Sequence, residues 1–343
     1  MKRTMALRTV AAMLCVSLFV AIGWMKVANA AGTKANVGYY PGTMFHMMQY
    51  VADAKGFYQK AGLDLRFSPI ANGPLMNTQM AAGAIDIGYS APSVIGIAQE
   101  QGLDIVFVAG NVTMPWTLVA RSDLKLPNAG RYPDVIRDLK GMKWGVYGRA
   151  SDGEMFMRVM ATEAGLNPDK DITWIAVGGP PSGLPALKAR TIDVYLTFSP
   201  APEVATATGI GKVLLDLGKG EGPGEFKDIA YQGVVVTRKY AQAKPEVITA
   251  LIDAHSQAYC WAHEPRNFDE LVQIVKAKLP VDGLSDEEFR GVVKDGIGKL
   301  SLRMPGSQYK VWNDMLVPAK LLKAPASPDQ QLWKTVPSTE PKC

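Results

Sequence analysis

Short apolar runs alternate along this 343-residue chain with stretches whose apolar positions recur three and four apart. The first kind predicts strands over 36–39, 63–67, 85–89 and 105–109. The second predicts helices over 43–60, 74–82 and 92–101. This is the βαβα rhythm of a parallel sheet covered on both faces. It then restarts, with strands over 144–147, 173–176 and 193–197 and helices over 151–164 and 183–189. After one more strand, over 232–237, the pattern turns helical over 245–264, 267–278, 286–300 and 309–316. Pro265 and Pro280 mark breaks, and the prolines that recur from Ala324 predict an extended, partly loose tail. Within the helix over 43–60, Met44, Met47, Met48, Val51 and Tyr58 share a stripe that reads as core, with Met44 and Phe45 at its start as candidates for a ligand surface.

The two halves echo each other. Ile85-Asp86-Ile87 leads into Tyr89-Ser90-Ala91-Pro92, and Ile192-Asp193-Val194 leads into Phe198-Ser199-Pro200. Asp86 and Asp193 sit at strand starts, far from the strand ends, and read as turn and inter-lobe structure rather than as an acid/base pair. Ser151-Asp152-Gly153-Glu154 is a capping box that fixes a helix start.

The N-terminus reads as an export leader. Lys2, Arg3 and Arg8 precede an apolar run over 10–22, and Ala28-Asn29-Ala30 supplies a small-x-small cleavage pattern. Cleavage after Ala30 is expected. The run is shorter than the roughly 20 residues that span a bilayer. Cys15 lies inside it and is misplaced for lipid attachment. Residues 1–30 hold four of the 37 basic residues and no acidic ones, leaving 33 basic against 32 acidic. That balance excludes a nucleic-acid binder's charge pattern. The roughly 313 remaining residues exceed one comfortable core, so two lobes are expected. Cys260 reads as a buried small hydrophobe, with a disulfide to Cys343 as the alternative. No Cys/His cluster has metal-ligand spacing, no cofactor motif is present, and His46, His255 and His263 read as structural.

Candidate chemistry lies where strands end. Tyr40, Gly42 and Thr43 follow the first strand, Asn72 and Gly73 precede the next helix, and Ser90 and Ala91 follow the third strand. Arg149, Ser151, Asp152 and Phe198 hold the same places in the second half. Ligands of open parallel sheets bind outside the carboxyl ends of strands. Helix N-termini there offer free N–H groups that suit an anion. Arg149 could clamp a carboxylate or sulfonate, or stand exposed and paired with Asp152. Tyr39, Tyr40, Trp116 and Phe198 could wall the organic part of a ligand. There is no Gly-x-Ser-x-Gly elbow, no P-loop and no GxGxxG after a strand, so no catalytic residue is assigned.

Val37-Gly38-Tyr39, Ala82-Gly83-Ala84-Ile85-Asp86-Ile87-Gly88, Asp138-Leu139-Lys140-Gly141 and Gly179-Pro180-Pro181 resemble segments of the solute-binding proteins for taurine, aliphatic sulfonates, nitrate and thiamine-pyrimidine precursors. Arg238-Lys239-Tyr240-Ala241 and Lys244-Pro245-Glu246-Val247 resemble the same family's return segment. The resemblance runs over about 35–260. It implies an α/β fold, the type II periplasmic clamshell, with a mixed sheet flanked by helices in each lobe and two crossover strands. Lobe I would comprise 32–118 with 229–343, and lobe II 119–228. It implies a monomeric, periplasmic receptor that closes on a small, anionic organic solute and delivers it to an ABC permease in the inner membrane. It places ligand contacts at Tyr40, Gly42, Thr43, Asn72, Gly73, Ser90, Ala91, Arg149, Ser151, Asp152 and Phe198, with Trp116 added from its aromatic character. Two departures stand out. Phe198-Ser199-Pro200 replaces the Trp-x-Pro of sulfonate binders, and Arg149-Ala150-Ser151-Asp152 replaces their small-polar cluster with a His. An enzyme on the same frame and a sensory module are the alternatives; the former would show a cleft-facing titratable residue with a shifted pKa, for which Asp152 and His46 are the candidates.

Overall fold

Strands β1 (Thr33–Tyr39), β2 (Leu63–Pro69), β3 (Ile87–Ser90) and β4 (Ile105–Thr113) belong to one sheet, which β10 (Ala230–Thr237) completes. Strands β5 (Trp116–Arg121), β6 (Lys143–Val146), β7 (Thr173–Ala176), β8 (Val194–Phe198) and β9 (Gly211–Asp216) form the other. The computed structural model describes residues 32–227 and 229–343. The expected export leader, residues 1–30, lies outside these residues. The sheet orders are β2-β1-β3-β10-β4 and β7-β6-β8-β5-β9. Both are mixed: β10 runs antiparallel to β3 and β4, and β5 runs antiparallel to β8 and β9. The chain leaves the first sheet between β4 and β5 and returns between β9 and β10, so both crossings lie together.

Strands β4 and β10 are buried almost throughout, which is why Ile105–Ala109 and Val234–Val236 are unbroken apolar runs. The echo between the halves has a structural reason. The Asp86 carboxylate accepts from Asn36 N at 2.8 Å, and Asp193 accepts from Lys143 N at 2.8 Å. Each aspartate ties its strand to the neighbouring one within its own sheet. The expected role between lobes is therefore corrected: these are intra-sheet clamps.

Four further expectations are corrected. The helix over 43–60 is a short 3-10 turn (Met44–His46), a helix over Met47–Ala54 and another over Phe57–Lys60, because Gly56 breaks it with a left-handed φ of 67°. Its methionine stripe is core as expected. The helix expected over 183–189 starts three residues earlier, as Pro180–Lys188 capped by Gly179. The tail is packed. Leu332 bridges Phe107 on the β4 edge, Trp333 N donates to Phe107 O at 2.8 Å, and the Glu340 carboxylate accepts from Ser301 Oγ and Leu302 N. A disulfide joins Cys260 to Cys343 across 83 residues, so Cys260 is half-buried cystine and not a free hydrophobe. The tail thereby covers a sheet edge that would otherwise present unpaired backbone groups. Strands β5 and β9 were absent from the predicted set; as antiparallel members they break the strand-then-helix rhythm that revealed the others.

No helix among the described residues is long and apolar enough to cross a membrane.

Candidate functional site

The carboxyl ends of the parallel strands of both sheets converge on one narrow cavity of about 30 Å³, room for two or three waters. The first sheet contributes Tyr40 and Phe45 after β1, Ser90 and Ala91 at the end of β3, and Asn72, Gly73 and Val94 from two helix starts. It also contributes Tyr231 and Gln232 from β10. The second contributes Trp116 from β5, Tyr147 after β6, Ser151 and Asp152 at a helix start, and Phe198 at the end of β8. Larger surface hollows, such as one of about 450 Å³ beside Gln99, Asp104 and Arg238, lie away from the strand ends.

The local sequence explains each placement. Asn72 caps the helix Gly73–Ala81 by accepting from Leu75 N at 3.0 Å, with Pro74 in the first turn. The helix Pro92–Glu100 starts after Ala91 with no side-chain cap, so the N–H groups of its first turn beyond Pro92 have no side-chain acceptor. Tyr40 is fixed twice: its N–H donates to His46 Nε2 at 2.8 Å, and its hydroxyl donates to Tyr89 O at 2.6 Å. Burial holds the His46 imidazole down to about 3, so it stays neutral and structural, as expected. His255, bonded to the Tyr58 hydroxyl at 2.7 Å, is likewise lowered by burial to about 4. Asn111 donates to Phe45 O at 2.8 Å and to Gln232 Oε1 at 3.0 Å, which sets the crossing side of the cavity.

Aromatic rings fill the second-sheet side. Trp116 meets Phe198 at 4.8 Å between centroids, Tyr147 and Tyr231 each at 5.8 Å, all close to edge-on. Tyr147 stacks on Phe198 at 4.9 Å. Phe45 reaches across to Phe198 at 4.0 Å, and Met44 N donates to Ser199 O at 3.3 Å. The two sheets thus already touch at the cavity's rim.

Ser151 caps the helix Asp152–Glu163, accepting from Glu154 N at 3.4 Å. The reciprocal half of the expected capping box does not form. The Glu154 carboxylate instead accepts from Ala150 N at 2.8 Å, from Arg149 Nε and Nη2 at 2.9 Å each, and from Arg158 Nε at 2.9 Å. Burial pushes Glu154 up, but the bonds from Arg149, Arg158 and Ala150 outweigh it and hold it below the usual carboxylate range. Ala150 takes a left-handed φ of 59° at this turn. Arg149 therefore pairs with Glu154, not Asp152, and its side chain is 56% exposed.

Asp152 is the cavity's charged residue. Tyr231 Oη donates to Asp152 Oδ2 across the gap. Burial raises its carboxyl to about 7, and the N–H groups of Asp152 and Gly153 pull it back only part of the way. Burial first, and the Asp152 charge second, push the Tyr40 hydroxyl well up.

Of the candidates read from sequence, Tyr40, Phe45, Asn72, Gly73, Ser90, Ala91, Trp116, Ser151, Asp152 and Phe198 meet at this cavity, and Met44 does not line it. Gly42, Thr43 and Arg149 do not line it. Thr43 Oγ1 donates to Tyr40 O at 3.1 Å and shapes the turn. Gly42, at φ 76°, lies where a Cβ would stand 3.1 Å from Pro181 of the opposite half. Tyr39 packs edge-on against His46. Tyr147, Tyr231, Gln232 and Val94 escaped sequence reasoning. Tyr231 and Gln232 begin an antiparallel strand, so the start of β10 lies beside the ends of its neighbours; the rule "look after each strand" passes over them. Among the described residues no group of three His, Cys, Asp or Glu could hold a metal ion.

A model of the NMT1-like family matches residues 28–276. A candidate binding protein of Brucella abortus (strain 2308) is 25% identical over 290 residues, covering 79% of this chain and 83% of its own. The alkanesulfonate-binding protein SsuA from Xanthomonas axonopodis pv. citri, solved bound to MOPS, superposes with a TM-score of 0.69 at 18% identity, covering 89% of this chain and 99% of that one. The periplasmic nitrate-binding protein NrtA from Synechocystis PCC 6803 gives 0.63 at 18% identity, over 77% and 70% of the two chains. These likenesses establish the periplasmic-binding-protein fold.

Proposed function

We propose that this chain, which belongs to the NMT1-like family, is the extracytoplasmic substrate-binding component of an ABC importer. Its fold is that of ABC importer substrate-binding proteins. The observation that carries the reading is the cavity itself: it lies at the strand ends of two sheets joined only by neighbouring crossings. The boundary expected at 118 falls inside β5, so residues 32–115 with 229–343 act as one lobe and 116–228 as the other, closing on a small organic solute by hinge motion. The leader delivers the protein to the periplasm, where a monomer presents the loaded clamshell to the permease.

A thermal-shift screen of the purified protein tests this, since a solute that binds only the folded state raises the melting temperature. Sulfonates, carboxylates, nitrate, pyrimidines and amines form the panel. A concentration-dependent rise with one class, and the unchanged solute recovered afterwards, is the expected result.

One observation favours a second reading, an enzyme on the same frame. Asp152 faces the cavity with a carboxyl raised to about 7, the signature set out above for catalysis. The cavity supplies no second acid or base besides tyrosines raised far from neutrality, such as Tyr40 and Tyr147. Turnover of a bound compound by the purified protein would decide for the enzyme.

A further inference from the structure

We infer that the cavity selects a small organic cation, with an N–H⁺ group held by Asp152 and an acceptor oxygen offered to Trp116 and Ser90. This rests on the receptor reading and names its solute class.

The charge balance comes first. Among the residues lining the cavity, Asp152 alone bears a formal charge. The one basic candidate nearby is committed elsewhere, because Glu154 holds the Arg149 guanidinium by two bonds of 2.9 Å. A nitrate or sulfonate placed here would face a carboxylate with no cation to offset it. An ammonium or amidinium would find its counter-charge in a water-poor site, where the attraction is strongest.

The walls agree. Trp116, Tyr147, Phe198 and Tyr231 crowd the space beside Asp152. Aromatic rings joined to a single carboxylate are the usual chemistry for holding ammonium-type groups.

Two other lining groups ask for an acceptor. Trp116 Nε1 and Ser90 Oγ are buried at 1% and 2% exposure and find no hydrogen-bond partner among the described residues. A buried donor left unpaired is costly, so a ligand that supplies an oxygen there gains specificity as well as affinity. The helix start that follows Ser90 and Ala91 has no side-chain cap for its first-turn N–H groups. An amino alcohol or amino amide carries both kinds of group. Dimensions limit it to a few heavy atoms unless the sheets part.

Titration of Asp152 supplies a second readout. The other titratable groups facing it are the hydroxyls of Tyr231 from β10, Tyr40 after β1 and Tyr147 after β6. Burial holds the last two protonated through neutrality.

The experiment is calorimetric titration of the purified protein near pH 8 with three matched sets: ethanolamine and acetamidine, their neutral counterparts ethylene glycol and acetamide, and the anions nitrate and propane-1-sulfonate. The expected result is a cation binding at least about tenfold more tightly than its neutral counterpart. Asp152→Asn should erase that preference, and affinity should fall as pH drops through about 7. Trp116→Phe should weaken ethanolamine but not propylamine, which lacks the acceptor. Nitrate or propane-1-sulfonate binding more tightly than every cation overturns the cation assignment and leaves the receptor reading standing. Silence from all three sets counts against both.

Discussion

Asp152→Asn should make the protein more stable in mild alkali and change it little in acid. In the folded protein burial raises this carboxyl to about 7, while in the unfolded chain it titrates near 3.9. Below both values it is protonated in either state and pH has no effect. As pH rises between them, the unfolded chain releases the proton freely and the folded protein holds it. Stability present below about pH 4 is therefore lost as pH climbs through 7. A shift of about three units is worth about 4 kcal/mol at its fullest, and about 2 to 3 kcal/mol of that develops between pH 5 and pH 8. Asparagine keeps the shape and an acceptor for Tyr231 but does not ionise. Urea unfolding of both proteins at about pH 5, 6.5 and 8 gives the difference curve. Subtraction matters, because His46 and His255 pull the other way. Their folded values are lowered to about 3 and 4, so stability from keeping them neutral is lost as pH falls below about 6.5. A difference curve that stays flat, or an Asn variant less stable near pH 8, would refute the account of a carboxylate kept at a stability cost.

Arg149→Ala should leave ligand affinity within about twofold and lower stability by about 1 kcal/mol, since Arg158 and Ala150 N still hold the buried Glu154; a tenfold affinity loss in calorimetry would restore a ligand-clamping arginine. Gly42→Val should weaken binding at least about tenfold with little change in the secondary-structure CD spectrum, because its φ of 76° and a Cβ 3.1 Å from Pro181 oppose approach of the two halves; unchanged affinity would mean this contact does not gate closure. Cys260→Ser should cost about 3 to 5 kcal/mol in urea unfolding, given the 83-residue loop it opens, and should expose the tail to limited proteolysis; equal stability of the variant and wild type would mean the tail's packing alone holds it.

Much of the site was legible because it obeys local rules. A small polar or Gly residue after a strand, followed by Pro, marks a helix start, and helix starts after parallel strands gather at one sheet edge. Asn72 and Ser90 follow this pattern, Ser151 and Asp152 follow from the capping-box helix start, and all four meet at the cavity. Arg149 shows where local reasoning stops. Its position beside Asp152 suggested a clamp, yet its direction was set by a contest for its guanidinium that Glu154 won from one helical turn away. Tyr231 shows the complementary failure. Nothing in Ala230-Tyr231-Gln232 says that this strand runs against its neighbours, and only that direction brings the ring to Asp152.

The amino-acid sequence by itself determined the alternation of strands and helices, the repeated Ile-Asp segment of the two halves and the family resemblance, because these depend on residues close along the chain. Tertiary structure alone decided the sign of the cavity's charge, the Cys260–Cys343 link and the packed tail. Each of these depends on which distant groups compete for one partner and how far water is excluded, and no window of sequence contains both sides of that competition.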